Sequence, residues 1–311
     1  MADYTPSDLT AAEISGFSND KPVMVVQQIK DPSIKLWSAN GTTTGTEKTD
    51  ENYPIARLYD DIGNLESRSD SETVSHRYVV FDLGASNLIS FDTCIIMGHN
   101  LNSAVFTSVA LEIADNAAFD DDKIEIYKYT VSGTTDTRLL CTNLNSEGGS
   151  STYDPSGTAQ RYSDVRFVRL RIIDDGAGAL ACAISEIVLG YRYQLQRNPN
   201  VPWDNKTETS NVADFQSNSG QTRRHTFFRG QALRSFSTSL SVSAEITMID
   251  DWFNAIAEGT RPFVYIETPS SSPQSYLMLL NSPALAFPLV GPTERQLAFD
   301  MTEQPPFLSR E

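Results

Sequence analysis

Short apolar runs, each cut off by glycine, asparagine or aspartate, set the pattern of this chain. Three follow one another between His76 and Ala114. Tyr78–Leu83 (YVVFDL) is β-branched and aromatic and stops at Gly84. Phe91–Met97 (FDTCIIM) stops at Gly98, ahead of His99, Asn100 and Leu101. Val105–Ile113 (VFTSVALEI) largely alternates apolar with small or polar side chains. Runs of this length between turn residues predict strands of a sheet rather than helices.

The same pattern extends in both directions. A short helix is expected over Ser7–Ile14 and a strand over Pro22–Gln28, so residues 1–49 read as an N-terminal arm with a first strand. Residues 38–52 are a Gly/Thr/charge loop, and Tyr53–Tyr59 leads into a turn at Asp60-Asp61-Ile62-Gly63-Asn64. Residues 66–75 are polar and expected to be exposed. Lys123–Thr130 (KIEIYKYT) alternates as a half-buried strand. After a long polar loop at 142–160, Val165–Ile173 (VRFVRLRII) alternates again, with Arg166, Arg169 and Arg171 mostly on its exposed side. Ala181–Leu189 closes this region, which spans 50–193. Gln194–Gly220, rich in Asn, Ser, Thr and Pro, reads as a linker arm.

Residues 221–311 form a smaller β-rich domain. Strands are expected over Arg223–Arg229, Leu233–Val242, Pro262–Glu267, Tyr276–Leu280 and Gln296–Met301. Between them lies one helix, 243–258, with Ser243 as N-cap, Glu245 in the first turn and Gly259 just past the end. Ile246, Ile249, Trp252, Phe253 and Ile256 share one face, which makes Trp252 a core residue. The fold class is therefore all-β: an antiparallel β-sandwich followed by a smaller β-rich domain with one packed α-helix.

Charge and composition narrow the function. Across 311 residues, 40 acidic side chains oppose 24 basic ones for a formal net charge of -16, which argues against general nucleic-acid binding. No apolar run is long enough for membrane insertion. The N-terminus lacks the basic and apolar regions of a signal peptide. Cys94, Cys141 and Cys182 are odd in number and widely spaced, so the chain is expected to be made and used without disulfides.

No residue stands out as catalytic, and the chain is read as no enzyme. His99 follows Gly98 at a strand end, where it would bond turn backbone, and no G-x-S-x-G accompanies it. His76 and His225 read as surface residues. Asp115, Asp120, Asp121 and Asp122 lack the Gly and terminal Glu of an EF-hand loop and read as a solvated acidic loop. Tyr153 and Trp203 are aromatic side chains in polar text, candidates for contact with carbohydrate or a partner. Arg223 and Arg224, with Arg229, form the basic cluster of an acidic chain and are partner-contact candidates.

Three pieces in order, RYVVFDLG (77–84), VRFVRLRI (165–172) and ISEIVLG (184–190), resemble the discoidin, or coagulation factor C-type, jelly roll. Sugar-binding members of that galactose-binding-like family hold a calcium ion between an early Asp-Gly turn and a Glu of the closing strand. The matching positions here are Asp60 or Asp61 and Glu186, although Asp-Asp-Ile-Gly departs from the pattern. A structural calcium is thus the one cofactor the resemblance implies. Gly98-His99-Asn100-Leu101 after the second strand, and the C-terminal arrangement, resemble minor tail and tail-tip proteins of tailed bacteriophages. That resemblance implies a virion structural protein, synthesised in the host cytoplasm, whose partners are copies of itself and other tail proteins. The alternative expectation is a carbohydrate-binding module or adhesin contacting host-surface glycans.

Overall fold

The computed structural model describes residues 4–304 except 16–20, 62–64, 71–75, 102–104, 121–122, 133–137, 147–149, 175–180, 196, 199–206, 217–221, 241–242, 268–274, 282–284 and 291–293; residues 207–216 and 222–232 are described by their backbone alone. The chain separates into two units, Met1–Ser18 with Val25–Arg192, and Asn19–Met24 with Tyr193–Glu311.

The larger unit holds β1 (Thr5–Asp8), α1 (Ala11–Ser15), most of β2 (Val23–Gln27), β3 (Ile34–Ser38), β4 (Ser67–Arg68), β5 (His76–Asp82), β6 (Ile89–Phe91) and β7 (Thr93–Met97). It continues with β8 (Phe106–Ala114), β9 (Ile124–Thr130), β10 (Arg138–Cys141), β11 (Gln160–Val165), β12 (Phe167–Asp174), β13 (Ala183–Ile184) and β14 (Glu186–Gln194). One sheet runs β3-β5-β12-β8-β9, every neighbouring pair antiparallel. On the other side of the core, β7 lies between β10 and β14, again antiparallel, and β2 follows β14. Val79, Phe81, Leu111, Ile113, Leu170 and Ile172 of the first sheet meet Cys94, Ile96, Ile187 and Leu189 of the second in one buried cluster. The expected antiparallel sandwich forms because period-two apolar positions on both sheets must leave water together. A small third sheet, β1-β11-β6, closes one end, where Tyr162 packs on Tyr4 and Phe91.

Several expectations change at polar residues inside the apolar runs. The run Phe91–Met97 is two strands in different sheets, hinged at Asp92, which is fully buried. Asp92 turns inward because Arg192 and Arg161 meet it there: Arg192 Nε donates to Oδ1 at 3.3 Å, and Arg161 donates to Oδ2 from Nη2 at 2.8 Å. Likewise Val165–Ile173 breaks at Arg166, whose guanidinium donates to Asp82 at 2.8 Å. Arg169 and Arg171 do not mark an exposed side. Arg169 is 5% exposed, donates to Glu112 and to Gly41 O at 2.7 Å, and lies over the rings of Tyr78 and Phe119. Arg171 donates to Glu112 at 2.8 Å. The loop that supplies Gly41 and the segment that supplies Phe119 cover this outer face, which is why its cations are paired with carboxylates rather than solvated.

The N-terminal segment is no free arm. β1 pairs with β11, β3 pairs with β5, and a five-residue helix begins at Ala11 where the helix was expected from Ser7. Residues 66–75 are not simply exposed: Ser67 is fully buried and accepts a hydrogen bond from Trp37 Nε1 at 2.9 Å.

The second unit contains β15 (Thr207–Gln216), β16 (Thr222–Leu240), α2 (Ser243–Ala255), β17 (Phe263–Ile266), β18 (Ser275–Leu280) and β19 (Arg295–Glu303). The linker reading of 194–220 is corrected here, since Thr207–Gln216 is a strand paired antiparallel with β16. Trp252 of α2 is fully buried against Phe263 and Phe299, with ring centroids at 4.9 and 5.4 Å. The helix ends at Ala255, three residues short of expectation, because Ala257 and Glu258 already take positive φ ahead of Gly259.

Candidate functional site

Two groupings of the sequence candidates emerge in the larger unit. The first is at the start of β14, where Glu186 pairs in register with Met97. The pleat turns its side chain inward, so the carboxyl is fully buried. Among the described residues, neither Oε has a partner at strict hydrogen-bonding geometry. Burial raises its pKa well above the usual carboxylate range, and the charges of Asp61 and Asp60 push it further in the same direction. The Asp61 N–H and the Gln27 amide work against that rise, but Gln27 Nε2 is committed to Ile187 O at 2.6 Å. The charges of Asp60 and Asp61 thus act on Glu186 across more than a hundred positions of chain. Asp61 itself takes a positive φ of 61°.

Carboxylate oxygens are the donor type a hard cation takes. Among the described residues, however, no group of three or more His, Cys, Asp or Glu side chains is arranged as a metal shell. In the acidic loop, Asp120 accepts from Asn116 Nδ2 at 2.8 Å. Asp121 and Asp122 lie outside the described residues.

The second grouping is an aromatic ledge beside β9. Tyr153 and Tyr127 are both half-buried, with ring centroids 5.4 Å apart and planes at 49°. The long polar loop holds this ledge because its backbone docks on β9. Glu125 N–H donates to Ser151 O at 3.1 Å, and Asn145 N–H donates to Ile126 O at 2.9 Å. Asp154 closes the following turn, accepting from Ser156 N–H at 2.9 Å. Burial raises the Tyr153 phenol, and a hydrogen bond with Asn143 pulls it the other way. The ledge thus combines two ring faces with an amide and a carboxylate on a loop fixed by backbone bonds. Tyr153 was legible as an exposed aromatic; Tyr127 and Asn143 were not, because their role depends on how the loop folds back.

His99 does what its position predicted, with Nδ1 accepting from Leu101 N–H at 3.2 Å. His76 is half-buried and stacks on Tyr78 with planes at 13°; burial and the nearby Arg171 lower its pKa. Trp203 and the side chains of Arg223, Arg224 and His225 lie outside the described residues. A surface hollow beside Trp37, Lys48, Asp70 and His76 has about 260 Å³ of empty space. Its cavity volume proper is about 10 Å³, room for about one water and far below small-molecule pockets of about 300–1,000 Å³.

No protein-family model matches the sequence. No curated protein matches it either. Several solved structures share part of its course. One is a GH29 fucosidase from Ruminococcus gnavus in complex with fucose, at 15% identity and TM-score 0.29 over 45% of this chain. The match spans only 22% of the fucosidase. Another is chitosan-binding module 1 of a chitosanase/glucanase from Paenibacillus sp. IK-5, at 10% identity and TM-score 0.34, covering 53% of this chain and 98% of that one. A third is the pair of CBM32 domains of ZmpB from Clostridium perfringens in complex with GalNAc, at 8% identity and TM-score 0.29, covering 60% and 39%.

Proposed function

We propose that the larger unit is a non-catalytic carbohydrate-binding module whose contact surface is the Tyr153–Tyr127 ledge. The observation that carries this reading is the ledge itself: two half-buried rings fixed beside Asn143 and Asp154. Sugar rings present an apolar C–H face and a hydroxyl edge. An aromatic face with an adjacent amide and carboxylate matches both at once. A glycan array with the intact chain, read with calcium and with chelator, tests the reading. Binding of at least one glycan, weakened about tenfold by Tyr153→Ala, or about 1.4 kcal/mol, is expected. No binding to any glycan ends it.

A second reading, self-assembly as in a phage tail component, draws on the β15–β16 ribbon. Leu233–Leu240 of β16 pairs with β19, while the bonded partner of residues 222–232 among the described residues is β15. A two-stranded ribbon is marginal in water by itself, and an arm of this kind is completed by docking on another copy. Arg223, Arg224 and Arg229 fall on this ribbon, within a chain of net charge -16. Sedimentation of the purified chain tests this reading: a monomer at high concentration and low salt removes it.

A further inference from the structure

The sequence shows three thiols with no disulfide pattern, yet the sheet places two of them side by side. Cys94 of β7 and Cys141 of β10 are direct partners in the antiparallel register. Both side chains enter the same core cluster, at 0% and 1% exposure, so they stand on one face of the sheet. Directly opposite residues in an antiparallel pair have Cα atoms about 4.5–5.5 Å apart, inside the range a disulfide spans. The two thiols also sense each other: burial raises Cys141, and its contact with the Cys94 thiol raises it further. Cys182 has a different environment, close to Arg77 and Asp174, with burial pushing it up to about 12. It has no such opposite number, because its segment bonds Ser69 instead.

We propose that Cys94 and Cys141 form a redox pair that closes into a cross-strand disulfide when the chain folds with a low-molecular-weight disulfide as oxidant. The thiolate of one cysteine attacks oxidised glutathione, forming a mixed disulfide and releasing one glutathione thiolate. The second cysteine then attacks the protein sulfur of that mixed disulfide and releases the other. Both protein protons end on the two glutathione molecules, so two thiols are oxidised and one glutathione disulfide is reduced. β10 is the outer strand of its sheet and is paired to β7 along Arg138–Cys141. The link ties that edge to the centre of the sandwich and closes the chain between 94 and 141. Because both sulfurs are buried, exchange runs during folding or while β10 is detached, and is slow in the native state.

The test uses the full chain, unfolded under reducing conditions and refolded in a glutathione redox buffer, then alkylated and mapped by mass spectrometry. The expected product carries a Cys94–Cys141 cross-linked peptide, with Cys182 alkylated. Its urea midpoint should exceed that of the reduced protein by about 1 M and return to it with reductant. Cys182→Ala should leave the link and the midpoint shift unchanged. Three free thiols after refolding, statistical pairing with Cys182, or a linked species with a lower midpoint would each overturn the proposal.

Discussion

Replacing Asp92 tests how the sandwich is held at the hinge between β6 and β7. Asp92 is fully buried and accepts from Thr93 Oγ1 at 2.9 Å, Arg192 N at 3.2 Å, Arg192 Nε at 3.3 Å and Arg161 at 2.8 and 3.2 Å. The Arg192 side chain is 4% exposed, and burial already lowers its pKa. In Asp92→Ala this guanidinium keeps backbone acceptors, Asp92 O at 3.1 Å and Thr142 O, but loses its countercharge. Removing one partner of a buried pair costs about 3–5 kcal/mol, because the other charge is left desolvated. Arg161, with a side chain 28% exposed, turns to water and Glu13 and adds little. An expected loss of about 3 kcal/mol corresponds to a midpoint shift near 1.5 M urea for an m-value of about 2 kcal/mol/M. Urea-dependent hydrogen exchange of β7 and β14 peptides reads the larger unit without interference from the second. Asp92→Ala/Arg192→Met removes the orphaned charge and should recover most of the loss. A single mutant within about 1 kcal/mol of wild type, or a double mutant no better than the single, would refute the account.

The remaining predictions concern the acidic turn and one glycine. Glu186 has a folded pKa above its unfolded value near 4.5, so its contribution is complete below that pH and is lost as pH rises toward the folded value. Stability should therefore fall as pH rises above about 4.5, with a slope of at most about 1.4 kcal/mol per pH unit. Glu186→Gln should flatten that slope. An unchanged slope in Glu186→Gln counts against this assignment. In Gly190→Ala the new Cβ would lie 2.2 Å from Val26 O, so backbone must shift, and thermal unfolding should show a loss of about 1–3 kcal/mol. A neutral result would mean that β2 and β14 separate at little cost.

The sequence by itself determined the architecture and most strand positions. Period-two apolar runs with Gly84 and Gly98 behind them admit few other readings, and both glycines take the positive φ that stops a strand. It also determined that Trp252 belongs to a helix face packed on strands. Tertiary structure decided whatever hung on long-range pairing. Asp92 reads as one polar residue in a strand until Arg161 and Arg192 arrive from distant sequence. Arg169 reads as solvent-facing until Glu112 and the Gly41 loop cover it. Asp60, Asp61 and Glu186 were named from a resemblance, but only folding buries the Glu186 carboxyl where the charges of the two aspartates act on it. Cys94 and Cys141 look unrelated in sequence because register, which alone makes them neighbours, is fixed by the whole sheet. Local pattern encodes which way a side chain points relative to its own backbone. Which opposite charge, ring or thiol it then meets depends on strands far away in sequence.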